Sequence, residues 1–446
     1  MTSAERGNHT SRRATLASIM SVVLLVGCAA PAASPDASIV DAPPSASASL
    51  PAASASAAPS PEGVAADLAS LLSVLERVHP EPFHGVDRDE FVAALDDYAA
   101  ALPSLASEEA MVEFMRLWAL LSREGRDGHQ FALPQAQHAG PILPIRVYEF
   151  SEGLHVTAAM APNEDLVGAR VISVDETPID EVLSLVEPLV PRDGPATVPA
   201  FRPIFLLRAD VLRGLGIISG DRVAVEVEAA GTVRTVELTP VPADDYTEWA
   251  GPLGMHQLPI DPEVAYLASD APFAAELRDG EVAYLRYRSV QGADVREARR
   301  WMESGEATRL ILDLRQNPGG DNGTYGSLLR LVQEFAEMHP GSLSVLTDRV
   351  TFSAASNLAT EIERTTDARF IGEPMAGGLN FWNDVTWVDL PNLPIPMRAA
   401  VSVRYWQFAA DPADPRLTIE PDLAIEVTAA HHFARHDPVL EAALTP

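Results

Sequence analysis

An α/β layer fold is predicted for the C-terminal part of this chain, behind a helical segment and a small β-rich one. Three observations predict it. From about 262 to 446, short apolar runs of strand length alternate with amphipathic stretches of helical period. From 63 to 139, apolar residues recur at helical spacing. From 140 to 245, apolar and charged residues alternate on either side of glycine turns.

The first residues read as an address. Arg12 and Arg13 precede an apolar run over 14–27 that suits a signal peptide better than a membrane span. The run ends in Leu25-Val26-Gly27-Cys28, which resembles the lipobox of bacterial lipoproteins. Cys28 is the only cysteine of the 446 residues and directly follows a small residue. An ordinary signal peptide with an incidental cysteine is the alternative. The lipobox implies removal of residues 1–27, lipidation of Cys28, and a protein of the bacterial cell envelope facing the periplasm or the cell exterior. Its contact with the membrane would then be through that anchor only. Residues 28–62 are almost entirely Ala, Ser and Pro and read as a disordered tether.

The globular elements follow in order. Val64, Leu68, Leu71, Leu72 and Leu75 share one helical face, and Pro80 and Pro82 end that helix. A second helix is expected over 89–102. A third starts at Ser107, carries Met111, Phe114, Met115, Trp118 and Leu121, and leads into Arg126-Asp127-Gly128-His129. In the β-rich stretch, Val223, Val225 and Val227 pair across Gly231 with Val236 and Leu238 as a hairpin. Residues 167–182 read as strand, turn and helix start. They resemble the peptide-binding half of a PDZ module, with a plain β-rich connector as the alternative. In the last stretch, strands are expected over 282–287, 310–314 and 343–346. Helices are expected around Val295–Met302, over 324–338 and over 354–364. Between them lie Asn317-Pro318-Gly319-Gly320-Asp321-Asn322-Gly323 and Thr351-Phe352-Ser353.

Charge removes several functions. The net charge of −31 is the reverse of a nucleic-acid footprint. All 32 basic residues are arginine. Without lysine there is no P-loop, Schiff-base or Ser-Lys chemistry. Ser353 sits where a strand turns into a helix, a place that favours developing negative charge. By position alone it is either a helix cap or a nucleophile. Gly319 and Gly320 follow a neighbouring strand, where α/β sheets bind ligands, and their N–H groups with that of Ala354 could form an oxyanion hole. Alone, that loop is equally a tight turn. A serine needs a base, and with no lysine that base is a histidine. His129 follows Asp127-Gly128 at a helix end. His79 and His84 flank prolines and read as structural. His431, His432 and His436 spell HHxxxH, but no HExxH or cysteine framework supports zinc.

Taken together, these pieces resemble the tail-specific (C-terminal processing) and tricorn-core family of serine peptidases. The matching segments are LILDLRQNPGG (310–320), VLTDRVTFSAASNLA (345–359), FIGEPMAGG (370–378), IEPDLAIEV (419–427), DPVLEAAL (437–444), and the upstream HPEPF and DGHQ (127–130). The resemblance covers most of residues 65–446. It implies a crotonase- or ClpP-like α/β core and peptide cleavage with no metal or cofactor. It implies Ser353 as nucleophile, and Gly319 or Gly320 with Ala354 N–H as oxyanion hole. One style of the family uses a lysine about 25 residues after the serine, where this chain has Ala376-Gly377-Gly378. The other, like tricorn, uses a histidine from the helical region, and His129 matches it. Tricorn's serine before that histidine is Gly128 here. Tricorn's acid precedes a Pro-Asp motif, and Asp414 or Glu420 stands before Pro421-Asp422, with Asp414 preferred.

The expectation is therefore a lipid-anchored serine peptidase acting on peptide or protein substrates through an acyl-enzyme. The missing hydroxyl before His129 motivates the alternative, a catalytically inactive envelope lipoprotein that binds or scaffolds. Esterase activity on small acyl groups shares the same chemistry. Neither the substrate nor the oligomeric state follows from the sequence.

Overall fold

The computed structural model describes residues 60–251 and 254–445. The signal segment, Cys28 and nearly all of the Ala/Ser/Pro stretch lie outside the described residues. No helix among the described residues is long and apolar enough to cross a membrane.

The chain begins with three helices, α1 (Pro61–Val78), α2 (Arg88–Ala101) and α3 (Ser107–Ala119), and the short strand β1 (Ala132–Pro134). Ser60 caps α1 and Asp87 caps α2 through their side chains. Leu68, Leu71 and Leu75 are the buried face of α1, as their spacing requires. α3 is buried on most of its surface, including Met111, Phe114, Met115 and Trp118.

The next stretch holds β2 (Ile145–Phe150), β3 (Gly153–Ala159), β4 (Arg170–Val174), β5 (Thr177–Pro178), α4 (Ile179–Val186), α5 (Thr197–Leu206), α6 (Ala209–Gly214), β6 (Val223–Ala229), β7 (Thr232–Leu238) and α7 (Ala243–Ala250). Its strands run in the order β2-β3-β4-β6-β7, with β5 paired to β4, all antiparallel. The hairpin around Gly231 and the strand-turn-helix over 170–186 form where the sequence pattern puts them. The two helices α5 and α6 in the middle of this stretch were not expected from its β-rich appearance.

The rest contains β8 (Phe273–Arg278), β9 (Val282–Tyr287), α8 (Arg296–Ser304), β10 (Arg309–Asp313), α9 (Gly326–Met338), β11 (Leu343–Thr347), α10 (Ala354–Thr365), β12 (Arg369–Gly372), β13 (Asn380–Leu390), β14 (Met397–Gln407), β15 (Leu423–Ala424), α11 (Ala429–Phe433) and α12 (Pro438–Leu444). One sheet has the order β15-β12-β11-β10-β9-β8, parallel except for β8 against β9. Every residue of β9 is buried. Ala283, Leu285 and Tyr287 face one apolar cluster, and Val282 and Tyr284 face another. Burial on both faces explains why these strands read as unbroken apolar runs. Leu312 is fully buried on the central strand β10. Leu312→Ala should cost about 2–5 kcal/mol of stability in urea titration, since the site has little room to collapse.

A third sheet, β1-β14-β13, ties the two ends of the chain together. The long hairpin β13–β14 pairs over Asn380↔Gln407 to Leu390↔Met397, and β14 pairs with β1 from the helical region. One apolar cluster accordingly runs from Leu68 and Trp118 through Phe201 to Phe352 and Val401. This shared core brings the 125–131 loop beside the head of α10.

Candidate active site

Parallel neighbours β10 and β11 end at the same edge of their sheet. The loops that follow, 314–320 and 348–353, therefore lie side by side. Phe352 N–H donates to Asn317 O at 3.0 Å, and Thr351 Oγ1 donates to Leu314 O at 2.9 Å. Gln316 binds the Asp348 carboxylate through both its backbone N–H (3.0 Å) and its side chain (2.7 Å).

Ser353 stands at the head of α10 with φ 56° and ψ −127°. A non-glycine residue there stores about 1–3 kcal/mol of strain, which persists where the surroundings impose it. Its side chain makes no capping hydrogen bond. The capping alternative thus lacks the bond that would justify a serine. Instead Asn383 Nδ2, from β13, donates to Ser353 Oγ at 3.4 Å. Ser353 is completely buried, as is Ala354 behind it. This is the strained strand-to-helix turn on which serine nucleophiles are presented.

Gly319 packs directly on this turn. A Cβ on it would lie 2.6 Å from Ser353 Cβ and 2.9 Å from Ala354 N, and its φ is 106°. Only glycine fits there. The Gly319 N–H, however, donates to Asn317 Oδ1 at 2.9 Å. It is therefore not the oxyanion donor expected from the sequence. The Ala354 N–H, at the head of α10, is the candidate donor; Gly320 makes interactions of its own. Gly319→Ala should displace Ser353 and lower any Ser353-dependent activity by about 10²-fold or more, with reduced thermal stability. Gly377, in the Ala376-Gly377-Gly378 segment, also packs on this turn. A Cβ there would be 2.1 Å from Ser356 Oγ and 3.2 Å from Ser353 N. The Ser356 side chain fills the space beside it.

His129 reaches the same place from the other end of the chain. Arg126, at φ 71°, turns the loop. Its carbonyl accepts from Trp382 N–H at 2.7 Å, and its guanidinium donates to the carbonyls of Asn380 (3.2 Å) and Asp414 (2.6 Å). The His129 ring then stacks on Phe352, the residue before Ser353, at 4.4 Å and 19°, and on Phe381 at 5.7 Å and 8°. Neither ring nitrogen has a hydrogen-bond partner. Burial pushes its pKa down to about 4, with the Asp127 charge pulling the other way. It is therefore a neutral imidazole at pH 7, beside the serine segment and not bonded to it.

Asp414 does not join them. Its carboxylate is bound by Arg416 at 2.9 Å, which in turn binds Glu363. The Arg416 hydrogen bonds hold it below the usual carboxylate range. Glu420, the other acid considered, is exposed.

Two buried acids that the sequence reading passed over lie closer. Asp127 Oδ2 accepts from His79 Nε2 at 3.0 Å and lies 3.5 Å from His84 Nε2, and Oδ1 accepts from Ser402 Oγ at 2.6 Å. Burial alone would raise its pKa, but the His79 and His84 hydrogen bonds outweigh it and keep the group anionic. Asp193 accepts from Gly128 N–H at 2.5 Å, and burial pushes its pKa up to about 8. One acid is charged and the other neutral at pH 7, both touching the 127–128 segment.

His79, His84 and Asp127 also place three donor atoms within 4.8 Å of one another, a spacing that a metal ion could use. The hydrogen bonds argue against it. His79 Nδ1 accepts from Glu81 N–H at 3.0 Å, which puts the ring proton on Nε2 and directs it to Asp127. A protonated nitrogen does not ligate. Of the HHxxxH histidines, the His431 and His436 rings meet at 5.0 Å, but His436 pairs with Glu441 at 2.9 Å and His432 turns away onto Phe150 at 5.5 Å.

No protein-family model matches the chain. Solved structures do resemble it. Mature CPAF in complex with lactacystin is 15% identical, with a TM-score of 0.57 over 86% of this chain and 97% of that one. A CPAF mutant is 16% identical, with a TM-score of 0.58 over 84% of this chain and 95% of that one. The photosystem II D1 C-terminal processing protease aligns with a TM-score of 0.39 at 15% identity, over 81% of this chain and 93% of that one. At such identity the likeness is one of fold.

Proposed function

We propose that this chain is a serine peptidase of the bacterial cell envelope, tethered by a lipid on Cys28, with Ser353 as nucleophile and His129 as general base. The observation that carries the reading is the Ser353 turn: strained, uncapped, packed on Gly319, and one residue from a neutral buried imidazole. In the mechanism, His129 takes the Ser353 proton as Oγ attacks the substrate carbonyl. The oxyanion forms at the head of α10 near Ala354 N–H. The intermediate collapses as His129 gives that proton to the leaving amine and the C–N bond breaks; His129 then takes a proton from the water that hydrolyses the acyl-enzyme and returns it to Ser353 Oγ. The hydroxyl and imidazole are not bonded here, so their contact is made as substrate binds, when catalytic hydrogen bonds tighten. Asp414 is not part of the proposed machinery, because Arg416 occupies it.

A fluorophosphonate probe tests the assignment. The full chain should label covalently, and Ser353→Ala should not. Equal labelling of a folded Ser353→Ala protein would remove Ser353 from the role. The anchor is tested separately: Cys28→Ala should move the protein from the membrane fraction to the soluble one. Retention in the membrane would reject the lipid.

A further inference from the structure

We propose that Asp127, gripped by His79, His84 and Ser402, is the carboxylate that supports His129 as base; this rests on the peptidase reading above. The sequence resemblance sends the acid to the far side of the nucleophile, near residue 414. The structure turns that carboxylate toward Arg416. Asp127 is two residues from His129, fully buried, and fixed on three sides. His79 and His84 come from the α1–α2 connection, Ser402 from β14. Trp382 of β13 closes the cluster, with its ring 5.0 Å from that of His79 and 5.8 Å from that of His84.

The backbone on either side is equally constrained. Asp127 N–H donates to Arg192 O at 3.2 Å, Arg126 N–H donates to Asp193 O at 2.8 Å, and Ala400 N–H donates to Phe131 O at 2.8 Å. The loop that aims the imidazole is thus pinned at Asp127 by side chains and backbone, at Arg126 by backbone, and at Phe131 beyond His129. Asp127 acts in two ways. It fixes where the ring emerges, and its negative charge offsets the imidazolium that forms when His129 takes the serine proton. It makes no hydrogen bond to the ring, so it is a positioning and electrostatic residue.

The charged groups bearing on this pair are few. Asp127 lies two residues before His129, and its charge acts on the ring. His79, His84 and Asp193 face Asp127, and Phe352 and Phe381 cover the His129 ring. Burial pushes Asp193 up to about 8, and the charge that bears on His129 is that of Asp127. His84 is the partly exposed member, at the edge of a cleft formed with Arg126, Trp382, Tyr405 and Asp414.

Two variants of the full chain test this with opposite signs. Asp127→Asn removes a negative charge, so the His129 pKa should fall. His84→Gln removes an imidazole that shares the Asp127 carboxylate and leaves more of its charge to bear on His129, so the His129 pKa should rise. The readout is histidine-ring NMR titration, with His129 assigned by its loss in His129→Gln. Asp127→Asn should also lower kcat about 10- to 100-fold with KM within about twofold. That is less than the about 10⁴-fold effect of neutralising a directly bonded triad carboxylate. A purely structural role would lower the folded fraction without moving the titration in either direction. An unmoved His129 titration in Asp127→Asn overturns the proposal. If that variant does not fold, an unmoved titration in His84→Gln overturns it. The titration needs no substrate. Loss of all peptidase activity and probe labelling in the wild type would therefore defeat the peptidase reading while leaving the Asp127–His129 link to be judged by itself.

Discussion

Replacing Ser353 should abolish peptide hydrolysis and, for one substitution, stabilise the protein. Ser353→Ala and Ser353→Gly should both lose about 10⁴-fold or more in kcat, as expected when a nucleophile is removed and only binding and the oxyanion donors remain. Their stabilities should differ. Alanine keeps a Cβ at φ 56° and ψ −127°, whereas glycine takes that conformation at no steric cost. Ser353→Gly should therefore be about 1 kcal/mol or more stabler than Ser353→Ala in urea titration. Equal stabilities would mean that the turn is not strained. A serine that only capped a helix would behave in the opposite way: its loss would cost about 1 kcal/mol and spare activity.

His129 should leave a mark on both rate and stability in acid. Its folded pKa of about 4 lies below its ordinary 6.5. The folded state therefore binds a proton less readily than the unfolded chain. Stability from keeping this ring neutral is complete above about pH 6.5 and is lost as pH falls toward 4, by about 3 kcal/mol in all. His256 and His432, also lowered to about 4 by burial, add to this slope. Asp193 runs the other way: raised to about 8, it costs stability as pH rises from its ordinary range through 8. The difference between wild type and His129→Gln isolates the first effect. It should change between pH 6.5 and 4 and be flat above. In activity, kcat/KM should keep its plateau through pH 6 and fall only near pH 4, because the free enzyme's base protonates there. A limb at the ordinary histidine value would mean that the ring is wet in the working enzyme.

Much of this was legible residue by residue, for identifiable reasons. The β9–α8–β10–α9–β11–α10 alternation could be read because strands buried on both faces leave apolar runs and the helices between them keep their period. Ser353 and Gly319 stood out because a strand-to-helix turn and a glycine loop are local signals. The hairpin β13–β14 was not read. Its strands mix aromatic, polar and β-branched residues on faces that cover different neighbours, so no single alternation survives. Asn383 and Ser402, both touching the site, were lost with it. Asp414 was preferred for its place before Pro421-Asp422, but nearness to a motif says nothing of side-chain direction. An arginine two residues on captured it. Gly319 N–H was lost to Asn317 for a similar reason, since an asparagine two residues earlier readily turns its side chain back onto the backbone. His79 and His84 looked structural beside their prolines. Only the fold brings them to Asp127, 48 and 43 residues away.

The account stands on a proton passing from Ser353 to His129. The rate at which a fluorophosphonate modifies Ser353, compared between wild type and folded His129→Gln, measures that step without needing to know the substrate. The expected result is a fall of about 10²–10⁴-fold in the variant, with a wild-type acid limb near pH 4 that the variant lacks. Modification at the wild-type rate, with the same pH profile, would show that His129 takes no part.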